Sequence, residues 1–413
     1  MAVINTRKRG TKWEYRFESA KIDGKRKHIS KSGFRTKKEA LEAGAKALAE
    51  YNQSGLTFIP KDISMHDYLD YWYEEHCVLN LKYNTLVNYK AHIEKFLKPA
   101  FGKYKLSALS SASIQSFIND LKKQGYSKSH TIGIKSTLSA SLEYAVEPLN
   151  FITFNPCKNV KNPKFEKQPE KRFVISNDDF NRIINRFPPD NIFYTPLMIG
   201  YHAGLRISET FALTWEDIDF ENKTISINKS TVKRYKDTKN QKEPLGWFFQ
   251  TTKTKSSVRT IKIGDTLIKA LKLARKKQIE NKLFYGEFYT RIYQENKIDE
   301  KSNEIKKIIE INSNVDISLD EIEMICVKEN GEYVSTDSFK YCSRVINHSL
   351  KIDFNYHSLR HTHATILIES GANIKDVQTR LGHNSIETTL DIYTHNTERM
   401  ENETINIFEQ AIK

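Results

Sequence analysis

No apolar run in this 413-residue chain approaches the ~20 residues that a helix needs to cross a bilayer, which excludes a spanning helix and a membrane partner. The basic first residues are not followed by an apolar stretch, so no export signal is expected. Cysteine is scarce as well. Cys77, Cys157, Cys326 and Cys342 are scattered without a C-x-x-C pair, which argues against a zinc ribbon or a disulfide framework and for the reducing cytoplasm. The H-E-x-x-H pattern is also missing. His357 and His361 have the i, i+4 spacing of two ligands, with His363 close by, but no carboxylate is placed to complete a zinc site. Neither a metal nor another cofactor is expected.

Positive charge, by contrast, is in surplus: net +14, with a pI near 9.3. A polyanion is the natural partner, and double-stranded DNA the one the distribution favours. Residues 1–55 hold 14 Lys or Arg against 6 Asp or Glu, a concentration that reads as a DNA footprint. Within it, Trp13, Tyr15 and Phe17 alternate with Glu14, Arg16 and Glu18, the period of a half-buried strand. Asp23-Gly24 is a hairpin signal, Lys25-Arg26-Lys27-His28-Ile29 the returning strand, and Phe34 the centre of a short third one. Thr36 and Glu39 have capping-box spacing and open a helix with Leu41, Ala45 and Leu48 inward. Arg16, Lys25, Arg26 and Lys27 are the expected DNA contacts of this module.

Residues 62–158 read as helices. One carries Tyr68, Tyr71 and Trp72 on a stripe, the next runs from Tyr83 until Pro99 stops it, and two more cover Ser113–Lys123 and Thr131–Val146. Residues 157–172 carry two prolines and six basic side chains, which fits an extended linker over 159–172, with Lys161 and Lys164 at the DNA backbone. From 173 to 413 the pattern is mixed. A helix should follow Gly204 with Ile207, Phe211 and Trp215 on one face. Thr224–Asn228 and Val258–Ile263 should be strands separated by a lysine-rich stretch too long for a hairpin loop, and Asp265 should open a helix to about Ile279. Residues 284–320 fit no pattern and read as an insertion. Asn396–Lys413 has the period of a terminal helix.

The chemistry concentrates late in the chain. His357 and Arg360, at i, i+3 on one helix, can reach the same small anion, and Gly371 and Gly382 punctuate the segment as helix C-caps. Five motifs stand in order: Gly204-Leu-Arg206-Ile-Ser-Glu209, Thr251-Thr-Lys253-Thr-Lys255 running on to Ile261, His357-Ser-Leu-Arg360, Leu381-Gly-His383, and Tyr393. Together they resemble the active-site signature of the tyrosine recombinases, the integrases of phages and conjugative transposons. The resemblance implies a multidomain fold over nearly the whole chain. Residues 1–55 would be an arm-binding domain of a three-stranded sheet plus helix, whose sheet enters the major groove. Residues 62–158 would be an all-α, SAM-like core-binding domain, and 173–413 a mixed α+β, mainly helical catalytic domain with a tail helix.

It also implies roles. Tyr393 is the nucleophile, forming a 3′-phosphotyrosine. Arg206 and Arg360 stabilise the phosphorane by bidentate hydrogen bonds. Tyrosine titrates near ~10, so its proton needs an acceptor, for which His357 is placed. Lys253, with Lys255 as its rival, would protonate the leaving 5′-oxygen. His383 would hydrogen-bond the phosphate and Glu209 orient the site. Phosphoester is exchanged for phosphoester, so no ATP is needed. The family further implies a homotetramer on attachment-site DNA, a tail docked on a neighbouring protomer, and an excisionase or DNA-bending accessory protein. A type IB topoisomerase shares the cleavage chemistry, and a catalytically silent DNA-binding regulator shares the charge. The basic arm argues against the first and the filled catalytic positions against the second.

Overall fold

The computed structural model describes residues 4–22, 25–54, 63–165, 174–235, 245–251, 257–298, 304–312, 315, 317–385, 387 and 409. The chain divides after Phe165 into two compact units.

In the first unit, β1 (Asn5–Arg9), β2 (Lys12–Ile22) and β3 (Lys25–Phe34) form an antiparallel sheet in that order. The third strand is not the one expected. Phe34 ends β3, opposite Trp13, and the extra strand is β1, whose Asn-Thr-Arg-Lys-Arg sequence has no apolar alternation to betray it. The Asp23-Gly24 turn lies outside the described residues. Tyr15 and Phe17 are buried against α1 (Lys37–Ser54). Thr36 Oγ1 accepts from Glu39 N at 3.2 Å, while Glu39 Oε2 accepts from Arg35 N at 3.0 Å, so the capping bonds form with the return bond one residue early. The inner face of α1 is also displaced: Ala40 and Gly44 are buried and Leu41 is exposed. A Cβ on Gly44 would lie 2.9 Å from Ile4 Cγ2, so the helix lies too close to the sheet for anything larger.

Helix α2 (Met65–Trp72) passes through a wide π turn at Tyr73–Cys77 into α3 (Val78–Asn80). In the same way α4 (Tyr83–His92) passes through Ile93–Leu97 into α5 (Lys98–Phe101). Pro99 therefore does not stop its helix: the wide turn just before it absorbs the missing N–H, and the chain stays helical to Phe101. Tyr68 and Trp72 are buried as expected, but Tyr71 faces solvent. Helices α6 (Ser111–Lys123) and α7 (Lys128–Val146) complete the core with Ile114, Ile118, Ile134 and Leu138. Packing continues past residue 158. Cys157 and Val160 are buried in this core, Lys161 N donates to Gln115 Oε1 at 2.8 Å, and Lys122 Nζ donates to the Lys164 carbonyl at 2.6 Å. Residues 159–165 are thus tied to the helices by the buried Val160 and by these bonds.

In the second unit, α8 (Asn177–Arg186), α9 (Tyr194–Ala203) and α10 (Ile207–Thr210) lead into β4 (Ile218–Asp219), β5 (Thr224–Ile227), β6 (Lys229–Arg234), β7 (Gly246–Thr251) and β8 (Arg259–Lys262). The helix after Gly204 is a single turn. Phe211 and Trp215 are buried, but beyond its end. The long lysine-rich stretch contains the β6–β7 hairpin, with Val232 opposite Phe248. After α11 (Asp265–Tyr285), which overruns its expected end, the insertion forms β9 (Arg291–Ile298), β10 (Glu304–Ile311) and β11 (Asp320–Glu321). These add to the hairpin as a five-stranded sheet, β11-β9-β10-β7-β6, while β4-β5-β8 form a separate one. Helices α12 (Phe339–His348), α13 (Tyr356–Glu369) and α14 (Ile374–Leu381) follow. Helices α9 and α13 pack in direct contact, since a Cβ on Gly200 would meet Leu359 Cδ1 at 2.7 Å. The expected helix over 396–413 lies outside the described residues, apart from Glu409. Among the described residues no helix is long and apolar enough to cross a membrane.

Candidate active site

The carbonyl end of α14 is where the motifs of Arg206, of His357 and Arg360, and of His383 meet. A helix leaves its last carbonyls unpaired and carries partial negative charge there. Here three successive carbonyls are capped by guanidinium groups from three separate elements. Arg259 Nε donates to the Arg380 carbonyl at 2.7 Å, Arg360 Nη2 to Leu381 at 2.6 Å, and Arg206 Nη2 to Gly382 at 3.1 Å. Gly382 ends the helix in the left-handed conformation (φ 67°), which places His383 beside this corner, with the His383 carbonyl held by Gln378 Nε2 at 3.0 Å.

The first motif begins where α9 ends at Gly204, also left-handed (φ 68°). A Cβ there would stand 2.7 Å from His363 Cδ2, so the position admits only glycine. The Gly204 carbonyl accepts the second anchor of Arg360, from Nη1 at 2.9 Å. Arg206 caps the short α10. Its backbone N–H donates to Glu209 Oε2 at 3.0 Å and its Nη1 to Oε1 at 2.8 Å. Arg206 is the open member of the pair, its side chain 35% exposed, whereas Arg360 is only 2% exposed.

Electrostatics follow from this crowding of cations. Burial lowers the Arg360 pKa to about 9, with Arg206 adding to the shift, yet it remains a cation at neutral pH. Burial pushes His383 down to about 3, helped by Arg360 and Arg206. His357 is held down to about 4 by partial burial, then by His361, Arg360 and Arg206. It is therefore neutral at pH 7 and able to accept a proton. Burial alone would raise the Glu209 carboxyl, but the hydrogen bond and charge of Arg259, with Arg206, hold it below the ordinary carboxylate range.

Arg206, Glu209, His357, Arg360 and His383 therefore share one site. Lys253, its rival Lys255 and Tyr393 lie outside the described residues. His363 does not join His357: its Nδ1 pairs with the Tyr201 carbonyl at 2.9 Å and its Nε2 accepts from Arg380 Nε at 2.9 Å. Among the described residues no three His, Cys, Asp or Glu are grouped to hold a metal ion. Of the expected DNA contacts, Arg16 sits in β2 opposite Asn5 and Ser30, Lys25, Arg26 and Lys27 lie in β3, and Lys161 and Lys164 are exposed. Sequence reasoning missed Arg259, Arg380 and Gln378. Arg259 stood within the quoted lysine motif, but its partners are 50 and 121 residues away, a relation with no sequence period.

Residues 174–400 match the phage integrase family, residues 65–122 the phage integrase N-terminal SAM-like domain, and residues 4–51 an arm DNA-binding domain. A tyrosine recombinase XerC-like protein of Caldanaerobacter subterraneus subsp. tengcongensis is 28% identical over 368 residues, covering 87% of this chain and 86% of that protein. The ICEBs1 integrase of Bacillus subtilis is 28% identical over 372 residues, with the same coverage of 87% and 86%. The solved structure of the Tn1549 transposon integrase in complex with transposon right-end DNA aligns with a TM-score of 0.62 and 19% identity, over 83% of this chain and 98% of that one, a likeness of fold. The chain belongs to the phage integrase family: it is a tyrosine recombinase, an enzyme that cleaves and rejoins DNA strands.

Proposed function

We propose that this recombinase integrates and excises a mobile element by binding its attachment sites and breaking one strand at a time with Tyr393. The observation that carries the assignment of residues is the α14 corner, where Arg206 and Arg360 are fixed by backbone carbonyls before any phosphate arrives. Such donors need no reorganisation when negative charge develops on the non-bridging oxygens, the largest electrostatic contribution to a step of this kind. The Tyr393 oxygen attacks phosphorus and passes its proton to neutral His357. The bond to the 5′-oxygen breaks, and Lys253 protonates that oxygen. His383 donates a hydrogen bond to the phosphoryl group, and Glu209 holds Arg206. The product, a 3′-phosphotyrosine and a free 5′-hydroxyl, conserves the ester, so the step reverses onto a second strand.

The arm match supports DNA binding by residues 4–51, with Arg16, Lys25, Arg26 and Lys27 contacting DNA from a sheet in the major groove. The SAM-like match supports a core-binding role for residues 65–122, followed by Lys161 and Lys164 at the DNA backbone. Assembly would be a tetramer on DNA in the bacterial cytoplasm, with the tail after Tyr393 docked on a neighbour and an excisionase setting direction. The domains would be 1–55, 62–158 and 173–413. The test is incubation with nicked duplexes taken from the ends of the element. A denaturant-resistant protein–DNA adduct and strand exchange between two duplexes are expected. Relaxation of supercoils without exchange would indicate a topoisomerase, and no adduct at all a DNA-binding regulator.

A further inference from the structure

We infer that Arg259 is a positioning residue for strand cleavage, one that keeps Glu209 from neutralising Arg206; the inference rests on the recombinase reading above. Arg259 begins β8, opposite Ile227 of β5, and its guanidinium makes four hydrogen bonds within the protein. Nη2 donates to Glu209 Oε2 at 3.0 Å, Nη1 to Glu209 Oε1 at 3.3 Å and to the Ser257 carbonyl at 3.0 Å, and Nε to the Arg380 carbonyl at 2.7 Å. Its side chain is 5% exposed, and four bonds to protein acceptors, against two for Arg360, leave it little to offer a phosphate.

Glu209 is shared between two cations. Arg206 Nη1 bonds Oε1, and the Arg206 backbone N–H bonds the Oε2 that Arg259 also holds. Arg206 thereby spends one guanidinium nitrogen on Glu209 and one on Gly382, and its remaining donors stay available for phosphate. Without Arg259 the buried carboxylate would have a single guanidinium left to balance it. The low-energy answer is a two-pronged Arg206–Glu209 pair, which withdraws Arg206 from phosphate. The Arg380 carbonyl would lose its cap too, loosening the corner that bears His383. A lysine at 259 restores the charge beside Glu209 but cannot reach all four acceptors.

The discriminating experiment compares R259Q, R259K and K253A with the full-length wild type on nicked duplexes. Each variant is measured with an ordinary scissile phosphate and with sulfur replacing the bridging 5′-oxygen. A thiolate leaves without protonation, so sulfur rescues loss of a general acid and does nothing for loss of phosphate charge stabilisation. We expect R259Q to slow adduct formation about 10²-fold, the scale of one missing preorganised donor. DNA affinity should stay within about threefold, since Arg259 has little to offer a phosphate, and R259K should recover part of the rate, about tenfold. Sulfur should accelerate K253A and leave R259Q slow. Wild-type speed in R259Q, or its rescue by sulfur, overturns the inference; if R259Q does not fold, R259K read in the same two ways decides. Absence of any adduct with the wild type would instead count against the recombinase reading itself.

Discussion

Replacing Arg360 with lysine removes one of two carbonyl anchors while keeping the charge. In the wild type, Nη1 reaches the Gly204 carbonyl at 2.9 Å and Nη2 the Leu381 carbonyl at 2.6 Å, so one guanidinium joins the end of α9 to the end of α14. The single ammonium of lysine can serve one of them. A buried carbonyl left unpaired costs about 1–3 kcal/mol, and the more strongly hydrated ammonium adds to that at a position only 2% exposed. A loss of about 2–4 kcal/mol should lower the melting temperature of the unit by about 5–10 °C. The planar fork that meets phosphate bidentately is lost as well, so cleavage of a nicked duplex should slow by about 10²-fold. Differential scanning calorimetry and single-turnover adduct formation read the two effects separately. An R360K protein that melts with the wild type and cleaves within about threefold of it would refute the reasoning, because the bridge would then carry neither load.

Glu209 gives a pH-dependent test. Its folded pKa lies below the unfolded value of about 4.3, so its contribution is complete above that value and lost as pH falls through the folded one. The melting gap between wild type and E209Q should be widest at neutral pH and close below about pH 4; a gap independent of pH would contradict the ion pair. His383, held down to about 3, should give the NMR shifts of a neutral imidazole at pH 5 in the DNA-free protein, and imidazolium shifts there would be incompatible with the cage. The sign for stability is the same as Glu209's, in a higher window: as pH drops below about 6.5 the unfolded chain takes up a proton that the folded site refuses, and stability falls. G204A should lose about 1–3 kcal/mol and cleave slowly, since its Cβ meets His363 at 2.7 Å in a left-handed backbone; an unchanged melt would refute that.

Much of the site was legible because its spacing is local. Arg206 and Glu209 at i, i+3 do form an ion pair, and Gly382 is the C-cap its position suggested. What stayed hidden depends on distance or on half-exposed surfaces. β10 reads Glu-Ile-Lys-Lys-Ile-Ile-Glu-Ile, an alternation submerged in charge because one face of the added sheet meets water. β1 has no buried side chain at all, so periodicity had nothing to register. The inner face of α1 slipped by a residue because small side chains at close range, rather than large ones, define it. The three-arginine cap on α14 joins residues far apart in the chain, and the sequence could name two of its members as catalytic without revealing what holds them.

Mapping the covalent adduct is the most direct test of the whole account. Wild-type protein trapped on a nicked duplex, digested and sequenced by mass spectrometry, should carry the 3′-phosphonucleotide on Tyr393, and Y393F should yield none. An adduct on any other side chain, or one that survives in Y393F, would contradict the proposed site.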